Sequence, residues 1–100
     1  MWCAFDHGKS LGTRGPENGM IVQDEEYDQR ARITLERDGL AAPWSITCDI
    51  YGIFKHTAFA SSEEDAGGKY SDMKRDLMDI ITMDPSQPCY EKMRLFADIY

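Results

Sequence analysis

Residues 53–83, IFKHTAFASSEEDAGGKYSDMKRDLMDIITM, decide the fold, because within them an extended segment gives way to a helical period. Ser61 or Ser62 can cap a helix, with Glu64 or Asp65 three residues later closing a capping box, and the acids of that first turn suit the positive end of the helix dipole. Ala66, Tyr70, Met73, Leu77, Ile80 and Ile81 then recur at steps of four and three, giving one apolar stripe that runs down to Met83. Gly67-Gly68 weakens the first turns by about 1 kcal/mol per glycine relative to alanine, which points to close packing against a sheet. Asp84-Pro85 stops this helix. A second is expected over residues 88–99, with Pro88 in its first turn and Cys89, Met93, Phe96 and Tyr100 at helical spacing.

Working back from the helix, Trp44 to Phe59 is too long for one ordinary strand, and Gly52 divides it. Placing Tyr51-Gly52 at the centre of a two-residue turn gives strands over 44–50 and 53–60. In that register Ile50 faces Ile53, Cys48 faces Lys55, Thr47 faces His56 and Trp44 faces Phe59, with Trp44, Ile46, Cys48 and Ile50 on the core side. The rival is one long strand bulged at Gly52. Residues 30–37, RARITLER, alternate with the period of a half-buried strand, Ala31, Ile33 and Leu35 lying to one side. Met20, Ile21 and Val22 read as a short edge strand, and Asp24, Glu25, Glu26 and Asp28 as a solvated turn, because acidic residues are depleted in strands. Before them, glycines and Pro16 make residues 1–18 an irregular arm, anchored by Trp2 and Phe5.

Strands followed by helices, without alternation, argue for an α+β fold: a three- or four-stranded antiparallel meander with two C-terminal helices packed on one sheet face. One hundred residues make a single domain, with material for one modest core and no internal repeat.

Eighteen acidic against eleven basic side chains give a net charge of −7, and the excess runs through both halves, −4 over residues 1–50 and −3 over residues 51–100. Nucleic-acid binding and adhesion to an anionic membrane both need clustered Lys and Arg, so neither is expected, whereas a basic protein partner is. No stretch approaches the roughly 18 consecutive apolar residues of a membrane helix. Asp6, His7 and Lys9 interrupt the first ten residues where a signal peptide would be apolar. Cys3, Cys48 and Cys89 are an odd set without C-x-x-C spacing, which suits free thiols and a cytoplasmic setting, one disulfide with a spare thiol being the alternative.

Gly8-Lys9-Ser10 resembles the end of a phosphate-binding loop, but that pattern needs a glycine at position 3, where Cys3 stands, and a strand before it. Cys3-x-x-x-His7 is a single weak ligand pair, so neither a metal nor a cofactor is expected. Cys48 and His56 fall on opposite faces of the two-residue hairpin, and eight residues apart on a continuous strand, so neither geometry makes a nucleophilic dyad. The same hairpin puts His56, Thr47 and Asp49 on one face, with Asp49 a diagonal neighbour of His56 and Tyr51 nearby. An aspartate-oriented imidazole there is how a small enzyme or ligand carrier would hold a general base.

On the long helix Asp72, Asp76 and Asp79 lie on one flank beside the apolar stripe, where like charges repel unless a basic partner or cation relieves them. The apolar pattern is still running at Phe96, Ile99 and Tyr100, so these side chains need a surface to cover them. Together they favour a non-enzymatic binding or regulatory module that contacts a protein partner through these six residues or pairs with itself as a homodimer.

Overall fold

The computed structural model describes residues 1–81 and 90–100. The helix end at Met83, the Asp84-Pro85 stop and the placements of Pro88 and Cys89 lie outside the described residues. Five antiparallel strands form one sheet in chain order: β1 (Trp2–Ala4), β2 (Met20–Tyr27), β3 (Ala31–Arg37), β4 (Trp44–Ile50) and β5 (Phe54–Ala60). Two helices follow, α1 (Glu63–Ile81) and α2 (Tyr90–Ile99). The α+β order is therefore as expected, but the sheet has five strands where three or four were expected.

The fifth strand comes from the arm. Trp2, Cys3 and Ala4 pair with Tyr27, Glu26 and Glu25, and the Trp2 ring meets Tyr27 edge-on at 5.5 Å. The chain then leaves the sheet through a tight turn in which Asp6, His7 and Gly8 take positive φ of 49°, 55° and 83°. Aromatic anchoring was legible; that its backbone would extend the sheet was not.

β2 is longer than expected and takes in Asp24, Glu25 and Glu26, interior to the sheet between β1 and β3, while Asp28 lies in the turn that follows, as expected. The strand tolerates its charges because each acid meets a partner, in keeping with the rule that buried charge must be paired. Asp24, only 4 % exposed, takes a bidentate bond from Arg32 at 2.9 and 2.6 Å and a third from the Thr34 hydroxyl at 3.0 Å. Glu25 points to the opposite face and accepts from the Tyr70 hydroxyl at 2.6 Å and from the Lys74 ammonium at 2.9 and 3.0 Å. Glu26 accepts from the Tyr51 hydroxyl at 2.5 Å.

The core lies between the sheet and α1. Ile33 of β3, Ile46 and Cys48 of β4, and Met73 and Leu77 of α1 are fully buried. The expected stripe is the buried stripe: Ala66, Tyr70, Met73, Leu77, Ile80 and Ile81. Ser62 is the cap, its hydroxyl accepting the Asp65 N–H at 3.1 Å. α2 adds Met93 and Phe96 to the same core. Among the described residues no helix is long and apolar enough to cross a membrane.

Gly67 and Gly68 are not close-packed. A Cβ at either position would meet nothing within 4 Å, so both face open space. Gly67→Ala and Gly68→Ala should therefore each stabilise the domain by about 0.5–1 kcal/mol, because alanine narrows the unfolded ensemble and fits helical φ/ψ without strain. Urea melts of the two variants check this; a loss of stability in either would mean that the helix start is crowded after all.

Candidate functional site

The β4–β5 hairpin turns through three residues, not two. Ile53 donates to the Ile50 carbonyl at 2.9 Å, and Gly52 takes φ 75° at the third position of that turn, the one that demands positive φ. Ile50 consequently pairs with Phe54, Asp49 with Lys55, Cys48 with His56, Thr47 with Thr57 and Trp44 with Ala60. The expected register is displaced by one residue, and because side chains alternate, that displacement sends every β5 side chain to the other face.

The chemistry moves with it. His56 lies on the helix side, while Asp49, Thr47 and Tyr51 lie on or beside the face turned away from the helices. The polar cluster needed for a general base is thus divided by the sheet. Asp49 sits in a transverse row of alternating charge, Glu26, Arg32, Asp49 and Lys55, on four successive strands. Thr47 bonds Thr57 across the strands at 3.1 Å. The Tyr51 phenol is pushed up by burial and by the Glu26 carboxylate it serves, so it stays a protonated donor.

The correct register instead sets Cys48 directly opposite His56, about 5 Å apart at Cβ in such a pair. The juxtaposition supplies no nucleophile. The Cys48 thiol is fully buried, and burial followed by the nearby Asp49 charge pushes it up to about 12, which leaves it neutral. The His56 ring is stacked with Phe54 at 6.4 Å and meets the edge of Phe96 at 6.1 Å. Its Nε2 is shut off from solvent and has no hydrogen-bond partner among the described residues. His56 thus acts as one wall of an aromatic cluster that seats Phe96, and with it α2, on the sheet. Among the described residues no group of three His, Cys, Asp or Glu side chains is arranged to hold a metal ion.

The outer face is closed in places by the arm. Phe5 lies under the Arg32 guanidinium at 3.7 Å, a cation–π contact beside the Asp24 pair. Glu36 is fully buried and ties down residues 15–19: its Oε1 accepts the Glu17 and Gly19 N–H groups, both at 3.1 Å. There is no room to spare here, since a Cβ on Gly15 would come within 2.4 Å of the Glu36 carboxylate. These polar groups are mutually satisfied and hold the arm in place.

An open groove lined by apolar side chains lies between the helices. Asp76, Asp79 and Ile80 of α1 and Lys92, Leu95, Phe96 and Ile99 of α2 line a groove of about 200 Å³. Four of the six side chains expected to meet a partner, Asp76, Asp79, Phe96 and Ile99, are thus brought together. Tyr100 joins the end of the groove, donating its hydroxyl to Asp76 and packing on Phe96 at 4.8 Å between rings. Burial first, and then that bond to Asp76, hold the Tyr100 phenol well above its ordinary range. Asp72 lies outside, bonded to Arg75 at 3.4 Å, and Arg75 also bonds Asp76 at 3.2 Å. Phe96 is buried and anchors the floor, whereas Leu95 is 53 % and Ile99 69 % exposed. Leu95 and Lys92 were missed from sequence. The signal was present as a second stripe on α2, Lys92, Leu95 and Ile99 at spacings of three and four, but it runs beside the Met93–Phe96–Tyr100 stripe that carries the core.

Compared with protein-family models, curated proteins and solved structures, the chain matches none.

Proposed function

We propose that this protein is a small non-enzymatic binding module that contacts another polypeptide through the groove between α1 and α2. The observation that carries the reading is the exposure of Leu95 and Ile99 beside Ile80 and Phe96, with Asp76 and Asp79 on the rim. Large apolar side chains clustered on one helix face, rimmed by charge, mark interaction surfaces more often than isolated ones do. The occupant that fits is a helix presenting apolar side chains with a basic residue among them. Catalysis is disfavoured by the separation of His56 from Asp49 and by the neutral, enclosed Cys48 thiol. The acidic balance further disfavours nucleic acid as the partner. A reducing cytoplasm suits the two described cysteines, one exposed and one buried, both unpaired.

A designed amphipathic peptide with leucine and lysine at helical spacing provides the test, read by backbone amide shifts in NMR. Perturbations should centre on Ile80, Leu95, Phe96 and Ile99, and Leu95→Asp should abolish them. A scrambled peptide of the same composition should have little effect. Equal binding of the scrambled peptide, or shifts concentrated on the outer sheet face, would overturn the assignment.

A further inference from the structure

Resting on that reading, we propose that the occupant of the groove is a second copy of this chain, docked about a two-fold axis with Lys92 of each copy against Asp79 of the other. The groove asks for a helix carrying apolar residues and a cation at spacings of three and four. α2 presents such a helix on its own outer face as Lys92, Leu95 and Ile99.

The charges support the pairing. Asp79 and Lys92 line the same groove, both are exposed, and among the described residues neither makes an ion pair within the chain. Their neighbours differ: Asp76 is already engaged by Arg75 and Tyr100. One unpaired anion and one unpaired cation flanking one apolar strip make a self-complementary surface. Two-fold symmetry needs only that, because each contact from residue i to residue j is returned from j to i. Leu95 and Ile99 of one copy would then cover Ile80 and Phe96 of the other and lose their exposure, while the two charge pairs fix the register.

Sedimentation equilibrium at increasing protein concentration reads the outcome, with circular dichroism confirming that each variant keeps its fold. The wild type should approach twice 11.4 kDa. Asp79→Lys and Lys92→Asp should each weaken the dimer about tenfold, by placing like charges together, and the double exchange D79K/K92D should return it to near wild-type affinity. A monomeric wild type at high concentration overturns the proposal, as does a dimer indifferent to the single charge reversals or a double exchange that fails to restore it. If the monomer nevertheless binds the amphipathic peptide at the groove, self-pairing falls and the binding-module reading stands; if it binds neither, both fall.

Discussion

Replacing Leu77 with alanine should remove about 2–5 kcal/mol of stability, the range for truncating a buried leucine whose site cannot collapse. Leu77 is fully buried in the middle of the α1 stripe, pressed against the sheet next to Met73 and Ile80. A domain of this size holds roughly 5–15 kcal/mol in total, so the loss is a large part of its margin. The melting temperature should fall by about 8–40 °C at roughly 4–8 °C per kcal/mol. Leu40, 84 % exposed, is the control, since Leu40→Ala should move stability by no more than about 0.5 kcal/mol. Urea titration separates the two, with an unchanged slope for Leu77→Ala showing that stability alone has moved. A loss below about 1 kcal/mol would mean that α1 is not the wall of the core.

Glu36→Ala should cost about as much, roughly 2–5 kcal/mol, for a different reason. Alanine leaves the Glu17 and Gly19 N–H groups without an acceptor in a buried site and opens a void beneath the arm. Glu36→Gln should be milder, because an amide oxygen can stand in for Oε1, which accepts both N–H groups at 3.1 Å, and only the longer Glu17 bond to Oε2 at 3.3 Å is given up. The pair therefore distinguishes lost hydrogen bonds from lost charge.

The charge itself is read through pH. Burial raises the Glu36 carboxyl above its ordinary 4.5, against the pull of the Gly19 and Glu17 N–H groups and with a further push from the Glu17 charge. The folded state thus holds that proton more tightly than the unfolded state, and stability falls as pH rises from 4.5 through the folded value. Glu25 has the opposite sign. Burial pushes it up, but the bonds from Tyr70 and Lys74 and the Lys74 charge together outweigh burial and carry it below 4.5. Its contribution is present above 4.5 and is lost as pH falls below that value. Glu36→Gln should flatten the decline above pH 4.5, and Glu25→Gln the loss below it. Stability curves that keep their shape in both variants would remove these two carboxylates as the source.

The division between legible and hidden features follows the range of the interactions. α1 was readable because a helical stripe repeats within one segment, and Ser62, Ala66, Tyr70, Met73 and Leu77 carry that period without reference to the rest of the chain. β3 was readable in the same way from RARITLER. The acidic half of β2 was not, since Asp24 and Glu25 look solvated until Arg32, Thr34, Tyr70 and Lys74 arrive from elsewhere. The groove was half legible: its acids and its terminal apolar residues were each visible on their own helix. Their meeting depends on how α2 docks, which the seating of Phe96 against His56 and Phe54 decides.

The register of β4 and β5 marks the boundary most sharply. By itself the amino-acid sequence determined that Gly52 interrupts the extended segment from Trp44 to Phe59, that one helix follows with a single buried face, and that the chain is acidic throughout. Whether the turn holds two residues or three depends on which backbone hydrogen bond closes it and on which side chains the helices can cover. Only the tertiary structure decided that, and with it the fate of His56: a period of two makes a slip of one residue a change of face, so the imidazole turned to the helix side against Phe54 and Phe96 and left Asp49 behind.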